Sequence, residues 1–215
     1  MEKYQNKYRI QSHRMPEWDY AGNGVYFLTI VTQYRICNLG KINNGKMELS
    51  DFGKIVETEF LKSFEIRHEL FLDEYIIMPN HLHAIIILNK SGNATHGTHG
   101  THGTHVETHG RASLQSPQQS PQQSPQQFLQ QKLVRLPKSI SSFLAGFKSS
   151  VNTKIDDYID DYKLDIPKYN RNNHFFQPNY YDRIIRNKSE YERIKKYIIN
   201  NPANWINDKF KPENK

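Results

Sequence analysis

A low-complexity stretch in the middle of the chain decides which residues can form its core. The sequence repeats Thr-His-Gly between residues 95 and 110 and Ser-Pro-Gln-Gln between residues 116 and 127. Such repeats bury too little apolar surface to offset the conformational entropy that ordering them would cost. We therefore expect a flexible insertion at 91–131, and the fold has to be built from the two segments that flank it.

The five histidines of the repeat offer a competing interpretation, in which the insertion itself binds metal. Short tandem repeats without a rigid scaffold rarely build a defined site. We favour the simpler interpretation, a repeat-expanded insertion between two core elements.

The flanking segments carry strand and helix patterns in an order typical of an α+β domain. Runs rich in β-branched and aromatic residues predict strands at 25–32, 69–78 and 81–88. Apolar residues at helical spacing predict helices at 51–66, after an N-cap at Ser50, at about 140–151, and from an N-cap at Ser189 to about Asn201. Residues 156–170 read as irregular and 175–186 as extended. This order predicts a small sheet with helices packed on one face.

Length and charge set the class of protein. The 215 residues fit one domain at 21–205, with an N-terminal arm at 1–20 and a polar tail at 206–215. A net charge of +7 favours a polyanionic partner, most simply nucleic acid. A single cysteine, Cys37, fits a reducing compartment, and no apolar run reaches the roughly 20 residues that span a bilayer. We expect a cytoplasmic protein with no membrane association.

Two histidines head the strand predicted at 81–88. Side chains alternate along a strand, so His81 and His83 share one face, about 6–7 Å apart. Two imidazoles at that spacing can converge on one metal ion. On this pattern alone, two histidines that only cap a buried strand are the better interpretation.

The last predicted helix carries a second polar pair. Tyr191, Ile194 and Ile198 form its apolar stripe. Tyr197 lies at the margin of that stripe and Asn201 lies beside it, four residues on. Both could reach a site on the sheet, but on spacing alone a packing tyrosine and a C-terminal cap are the better interpretation.

Taken together, these motifs resemble a known family. His81-Leu82-His83 after Met78-Pro79-Asn80 looks like the His-hydrophobic-His (HUH) motif. The segments 180–187 and 197–202 resemble the closing part of single-tyrosine HUH transposases, in the REP-associated tyrosine transposase branch, and 142–149 resembles the helix before it. Phe176 stands where that family often has tryptophan, a change that keeps an aromatic ring.

The resemblance implies a ferredoxin-like antiparallel sheet and a metal-dependent reaction on single-stranded or hairpin DNA. Mg²⁺ or Mn²⁺ would be held by His81, His83 and Asn201. Tyr197 would attack a phosphodiester to form a 5′-phosphotyrosine, from which strands can be rejoined. A homodimer is compatible with this implication and is not required by it.

Basic residues of the second half are the candidates for contacting the DNA backbone. They are Lys138, Lys148, Arg183, Arg186, Lys195 and Lys196.

Three functions stay open at this point. The first is an active DNA nicking and strand-transfer enzyme. The second is a catalytically silent protein, domesticated from such an enzyme, that binds hairpin DNA. The third is a metal-dependent phosphodiesterase that uses water, with Tyr197 structural. Within the first function, Tyr191 is the next candidate nucleophile if Tyr197 does not attack.

Overall fold

The computed structural model of the protein describes residues 3–4, 7–8, 22–90 and 137–212. The predicted insertion at 91–131 and most of the predicted arm at 1–20 lie outside the described residues. The arm contributes two short antiparallel strands, β1 (Lys3–Tyr4) and β2 (Lys7–Tyr8).

The remaining elements follow in one α+β order. They are β3 (Gly24–Val31), β4 (Gly40–Asn43), β5 (Lys46–Leu49), α1 (Asp51–Ile66), β6 (Leu70–Met78), β7 (His81–Leu88), α2 (Ile140–Asp161), β8 (Tyr181–Ile185) and α3 (Lys188–Asn200). Four strands form an antiparallel sheet in the order β6-β7-β3-β8. With one helix between β3 and β6 and another between β7 and β8, this is the predicted ferredoxin-like arrangement, and that prediction is confirmed.

The strand period of two divides the core between the two faces of the sheet. On one face, Leu28 and Ile86 pack with Phe60 of α1 and Phe147 of α2 in the larger cluster of buried residues. The expectation of helices on one face therefore holds for α1 and α2.

The third helix packs on the opposite face of the sheet. There Ile194 and Ile198 of α3 pack against Ile85 of β7 and Ile185 of β8. This face is apolar at Ile85 and Ile185 and needs cover, which the stripe of α3 supplies. Because α3 carries Tyr197, the phenol is brought to the same face as the two histidines.

Helix bounds differ from the sequence prediction in two places. Helix α2 continues through Asp161, where the sequence predicts irregular structure from residue 156, because Ile155 and Ile159 extend its buried stripe. The N-cap of α3 is Asn187 rather than Ser189, since the Asn187 side chain accepts the Glu190 amide at 2.9 Å. None of the helices within 22–90 and 137–212 combines the length and apolar character needed to cross a bilayer.

The chain end corrects another prediction. The sequence predicts a polar tail from residue 206, but a 3-10 turn at Pro202–Asn207 leads the chain back to the sheet and buries Phe210 to 3% exposure. The physical reason is that the Phe210 ring and its carbonyl both find partners beside the histidines. The other predicted domain limits stay predictions.

Candidate metal and tyrosine site

The pairing of β3 with β7 places both histidines at one end of the sheet. In this register His83 lies opposite Thr29, and His81 lies opposite Val31. The two imidazole rings are 4.5 Å apart between centroids, and both side chains are buried. The two rings thus lie side by side on the face that α3 covers.

Asn80 fixes which nitrogen of His81 is available. Its amide nitrogen donates to the carbonyl oxygens of Arg35, at 3.0 Å, and Phe210, at 2.7 Å. Its side-chain oxygen, 2.8 Å from His81 Nδ1, must therefore accept, so the proton of the neutral ring sits on Nδ1. Nε2 is left with a lone pair that is buried and has no hydrogen-bond partner among the described residues.

His83 connects the sheet to α3. Its Nδ1 lies 2.8 Å from Thr29 Oγ1, and its Nε2 lies 3.2 Å from the Tyr197 hydroxyl. When Nδ1–H donates to Thr29, Nε2 can accept the phenolic proton. A metal ligand needs the same arrangement, with the second nitrogen held by a neighbouring polar group.

Burial keeps both histidines neutral. It lowers the pKa of His81 to about 3, with the positive charge of Lys209 acting in the same direction. Burial also lowers the pKa of His83 well below its usual value, with the charges of His81 and Lys209 adding to it. Neutral imidazoles at neutral pH are the form that binds a metal ion.

Tyr197 and Asn201 lie at the C-terminal end of α3, as their spacing predicts. Tyr197 is 40% exposed, whereas Asn201 is 2% exposed. Within the part of the chain that the structure describes, the side-chain oxygen of Asn201 has no hydrogen-bond partner. Burial raises the pKa of Tyr197, the negative charge of Asp208 raises it further, and a hydrogen bond with the Asn201 side chain opposes both. The phenol is therefore protonated at neutral pH.

Asp208 is a ligand candidate that the sequence analysis does not include. Its carboxylate and one ligand atom each of His81 and His83 all lie within 4.8 Å of one another. Unpaired buried atoms on His81 and Asn201 add to this set. Two nitrogens with carboxylate and amide oxygens suit a divalent cation, so the residues present fit the metal that the resemblance implies.

Phe210 covers the histidines on one side. Its ring centroid is 4.8 Å from that of His81 and 6.2 Å from that of His83. Lys209 places its ammonium group 4.8 Å from the centroid of the same ring. The segment 208–211 thus supplies a carboxylate, a cation and an apolar cover to the site.

The side chains of three of the predicted DNA-contacting residues have identified partners within the protein. Lys148 donates to the carbonyl oxygens of Gln177 and Pro178, Arg183 pairs with Glu190, and Lys195 pairs with Asp73. The other three, Lys138, Arg186 and Lys196, are exposed. Contact with DNA stays a prediction for all six.

Sequence reasoning missed Thr29, Asn80, Asp208 and Phe210. Identifying Thr29 as the partner of His83 requires the register in which their two strands pair, and no local sequence signal fixes that register. Phe210 is an isolated aromatic residue in a charged stretch, and that contrast was the available signal.

Comparisons with known proteins give three similarities. No family model matches the sequence. The chain is 29% identical to an uncharacterized protein of Haemophilus influenzae, over 93% of this chain and 92% of that protein. It is similar to a REP-associated tyrosine transposase bound to a REP hairpin, at TM-score 0.46 and 14% identity over 95% of this chain and 74% of that one. It is also similar to a candidate transposase of Deinococcus radiodurans, at TM-score 0.41 and 12% identity over 87% of this chain and 95% of that one.

Proposed function

We propose that the protein is a metal-dependent single-stranded DNA endonuclease and strand transferase in which Tyr197 is the nucleophile. One observation carries the proposal: the Tyr197 hydroxyl lies 3.2 Å from Nε2 of His83, whose ring packs against that of His81. A phenol beside a cluster of unpaired metal-ligand atoms is what phosphotyrosine chemistry needs. This contact between Tyr197 and His83 lies within one chain, which supports a site built from a single subunit.

The chemistry assigns one task to each group. The Tyr197 oxygen bonds to phosphorus as the phosphorus–O3′ bond breaks, and the net proton balance moves the phenolic proton to the departing 3′-oxygen. A divalent ion, Mg²⁺ or Mn²⁺, would supply positive charge to the scissile phosphate. The Nε2 lone pair of His83 serves one partner at a time, so it would either accept the hydrogen bond of the Tyr197 hydroxyl or help to hold the ion. The strand with the free 3′-hydroxyl can rejoin by the reverse reaction.

The third protein ligand is either Asn201 or Asp208. The sequence resemblance implies Asn201, whose buried side-chain oxygen lacks a partner. The carboxylate of Asp208 lies close to both histidines, which favours Asp208 as a ligand in addition to Asn201 or in its place. Mn²⁺ titrations of Asn201→Ala and Asp208→Asn distinguish the two candidates. The protein should lose more Mn²⁺ affinity when the residue that binds the ion is replaced.

One assay distinguishes the three functions. Labelled single-stranded hairpin DNA is incubated with the protein and Mn²⁺, and a protease-sensitive covalent adduct is sought. We expect cleavage with an adduct. Cleavage without an adduct would indicate the water-using phosphodiesterase.

The catalytically silent hairpin-binding protein predicts binding without cleavage in the same assay. The cover that Phe210 forms over His81 is the specific observation in favour of this silent protein.

For the active enzyme, we expect His81→Ala to abolish cleavage while DNA binding is largely kept. Equal loss of cleavage and binding would mean that His81 is structural.

A further inference from the structure

A cavity beside the histidine site is not used by the chemistry described above. Its volume is about 390 Å³, and it is lined by the turn at residues 33–35, by residues 177–179 and by Tyr181. That volume falls within the range of about 300–1,000 Å³ common for small-ligand sites.

The walls of the cavity are fixed by hydrogen bonds. The backbone N–H of Gln33 donates to the Phe175 carbonyl at 2.8 Å, and the backbone N–H of Gln177 donates to the Val31 carbonyl at 2.9 Å. The Lys148 ammonium group donates to the Gln177 carbonyl at 2.6 Å. The cavity is therefore a preformed feature of the fold.

The cavity and the metal site share the segment 208–211. Arg35, on the cavity wall, donates to the Lys209 carbonyl at 3.0 Å. Tyr181, on the opposite side, lies 5.8 Å from the Phe210 ring, which itself packs on His81. A strand whose phosphodiester reaches the histidines would thus have a neighbouring nucleotide beside this cavity.

The lining has the chemistry that binds an unpaired base. Tyr34 is 83% exposed, an unusual state for a large aromatic ring, and Tyr181 is 37% exposed. Aromatic rings of this kind are the stacking platforms of proteins that bind single strands. Arg35 brings a guanidinium group that donates to the Lys209 carbonyl, and no ion pair joins it to a carboxylate in the described ranges 22–90 and 137–212.

Two further features of the turn point to a ligand. The side-chain oxygen of Gln33 is buried and finds no hydrogen-bond partner in the described ranges. Rotation about the terminal torsion of Gln33 can present either end of its side-chain amide to the cavity. Tyr34 and Arg35 both have positive φ angles, of 56° and 57°, which non-glycine residues seldom adopt and which cluster at ligand sites.

We propose that this cavity holds one unpaired base of the DNA strand next to the cleaved phosphodiester. The base stacks on Tyr34, the Gln33 amide bonds to its edge, and Arg35 faces the adjoining phosphate. The inference rests on the proposed function for its substrate and adds a site that reads the single-stranded part of that substrate.

A coupling experiment tests the inference. Affinity is measured without metal, so that no cleavage occurs, for a hairpin with a single-stranded extension, for the same hairpin without the extension, and for a series with one abasic nucleotide at successive positions. Tyr34→Ala should weaken binding of the extended hairpin by roughly tenfold, the loss typical of one stacked base, and leave the bare hairpin unaffected. One abasic position should weaken wild-type binding similarly and have no further effect in Tyr34→Ala.

Matched variants keep the result interpretable. Tyr162→Ala removes an exposed tyrosine at the end of α2 and should change neither affinity. Tyr34→Asn removes the ring with a residue that tolerates positive φ, so it should reproduce the loss if the turn of Tyr34→Ala misfolds.

Additive losses at every abasic position, or unchanged affinity in both Tyr34 variants, would overturn the inference. Failure of the proposed function has a different signature, since the wild-type protein would then form no covalent adduct in Mn²⁺ whatever the binding series gives. An adduct without coupling between Tyr34 and a base removes only the cavity's role.

Discussion

At the scale of single residues, Asn80 and Thr29 orient the two histidine rings of the site. Each lies within 2.8 Å of Nδ1 of one ring. With Nδ1 occupied, each ring is left with Nε2, which lies 3.2 Å from the Tyr197 hydroxyl in His83 and is buried in His81. Two buried polar side chains, Asn80 and Thr29, thus orient the two histidines. Such an arrangement is expected if the Nε2 atoms bind a metal ion.

Protein stability should depend on pH through His81. Its pKa is about 3 when folded and about 6.5 when unfolded, so between these values only the unfolded state takes up a proton there. The free energy of unfolding should therefore fall as pH drops below about 6.5, by up to about 1.4 kcal/mol per pH unit from this residue. Urea unfolding of the metal-free protein across this range measures the slope.

The control for this prediction is a second histidine. His81→Leu should lose that part of the slope, whereas His68→Leu, at an exposed position after α1, should keep it. Identical slopes in the wild-type protein and His81→Leu would mean that folding does not lower the pKa of His81.

At the scale of elements, α3 is attached to the sheet by a small contact that sets the position of Tyr197. Besides the apolar contact of Ile194 and Ile198, Tyr191 donates to Asp73 at 2.8 Å and Lys195 to the same carboxylate at 3.2 Å. This also explains why Tyr191 is a poor nucleophile candidate, since its hydroxyl is engaged by Asp73 of β6 and by Lys195.

Removing Asp73 should loosen α3 without touching the histidines. We expect Asp73→Ala to cost about 1–2 kcal/mol of stability, because two donors lose a charged acceptor. DNA cleavage should slow several-fold, since the phenol is held less firmly. Asp157→Ala, which breaks the exposed pair with Lys154, is the control and should cost under about 1 kcal/mol. Equal effects of the two changes on cleavage would contradict this role for Asp73.

The segment 208–211 is the second element that controls the site. Phe210→Ala should raise the rate at which diethyl pyrocarbonate modifies His81, because the ring that packs on its imidazole is gone. The change should also cost up to about 3–5 kcal/mol if the segment unfolds only with the whole protein. Peptide mass spectrometry after brief treatment measures the modification.

Ile206→Ala is the matched variant for this segment, because Ile206 is an exposed apolar residue of the preceding turn. It should leave the modification rate unchanged. If Phe210→Ala also left it unchanged, Phe210 would not be the cover of the site.

At the scale of the whole molecule, the repeats should be dispensable. Replacing 91–131 with a short Gly-Ser linker should change the free energy of unfolding by only about 1 kcal/mol, because loop-closure entropy grows slowly with length. Cleavage and its Mn²⁺ dependence should be kept. Loss of Mn²⁺-dependent cleavage in the shortened protein, with folding intact by circular dichroism, would show that the repeat histidines take part in metal binding.

Much of this architecture follows from local sequence pattern. Ser50 caps α1 as its position predicts, and the alternation of His81 and His83 along β7 places both on one face. The side of the sheet that α3 covers could not be predicted, since an amphipathic stripe defines which helix face is buried but not against what. Phe210 and the cavity around Tyr34 depend on contacts between distant residues, which carry no periodic signal.

The central claim is that Tyr197 becomes covalently attached to DNA. The direct measurement is mass spectrometry of the adduct after nuclease and protease digestion, following reaction with hairpin DNA and Mn²⁺. We predict a nucleotide remnant on the peptide that contains Tyr197, and no adduct from Tyr197→Phe although that variant still binds the hairpin. A remnant on Tyr191, or an adduct that survives in Tyr197→Phe, would contradict the account.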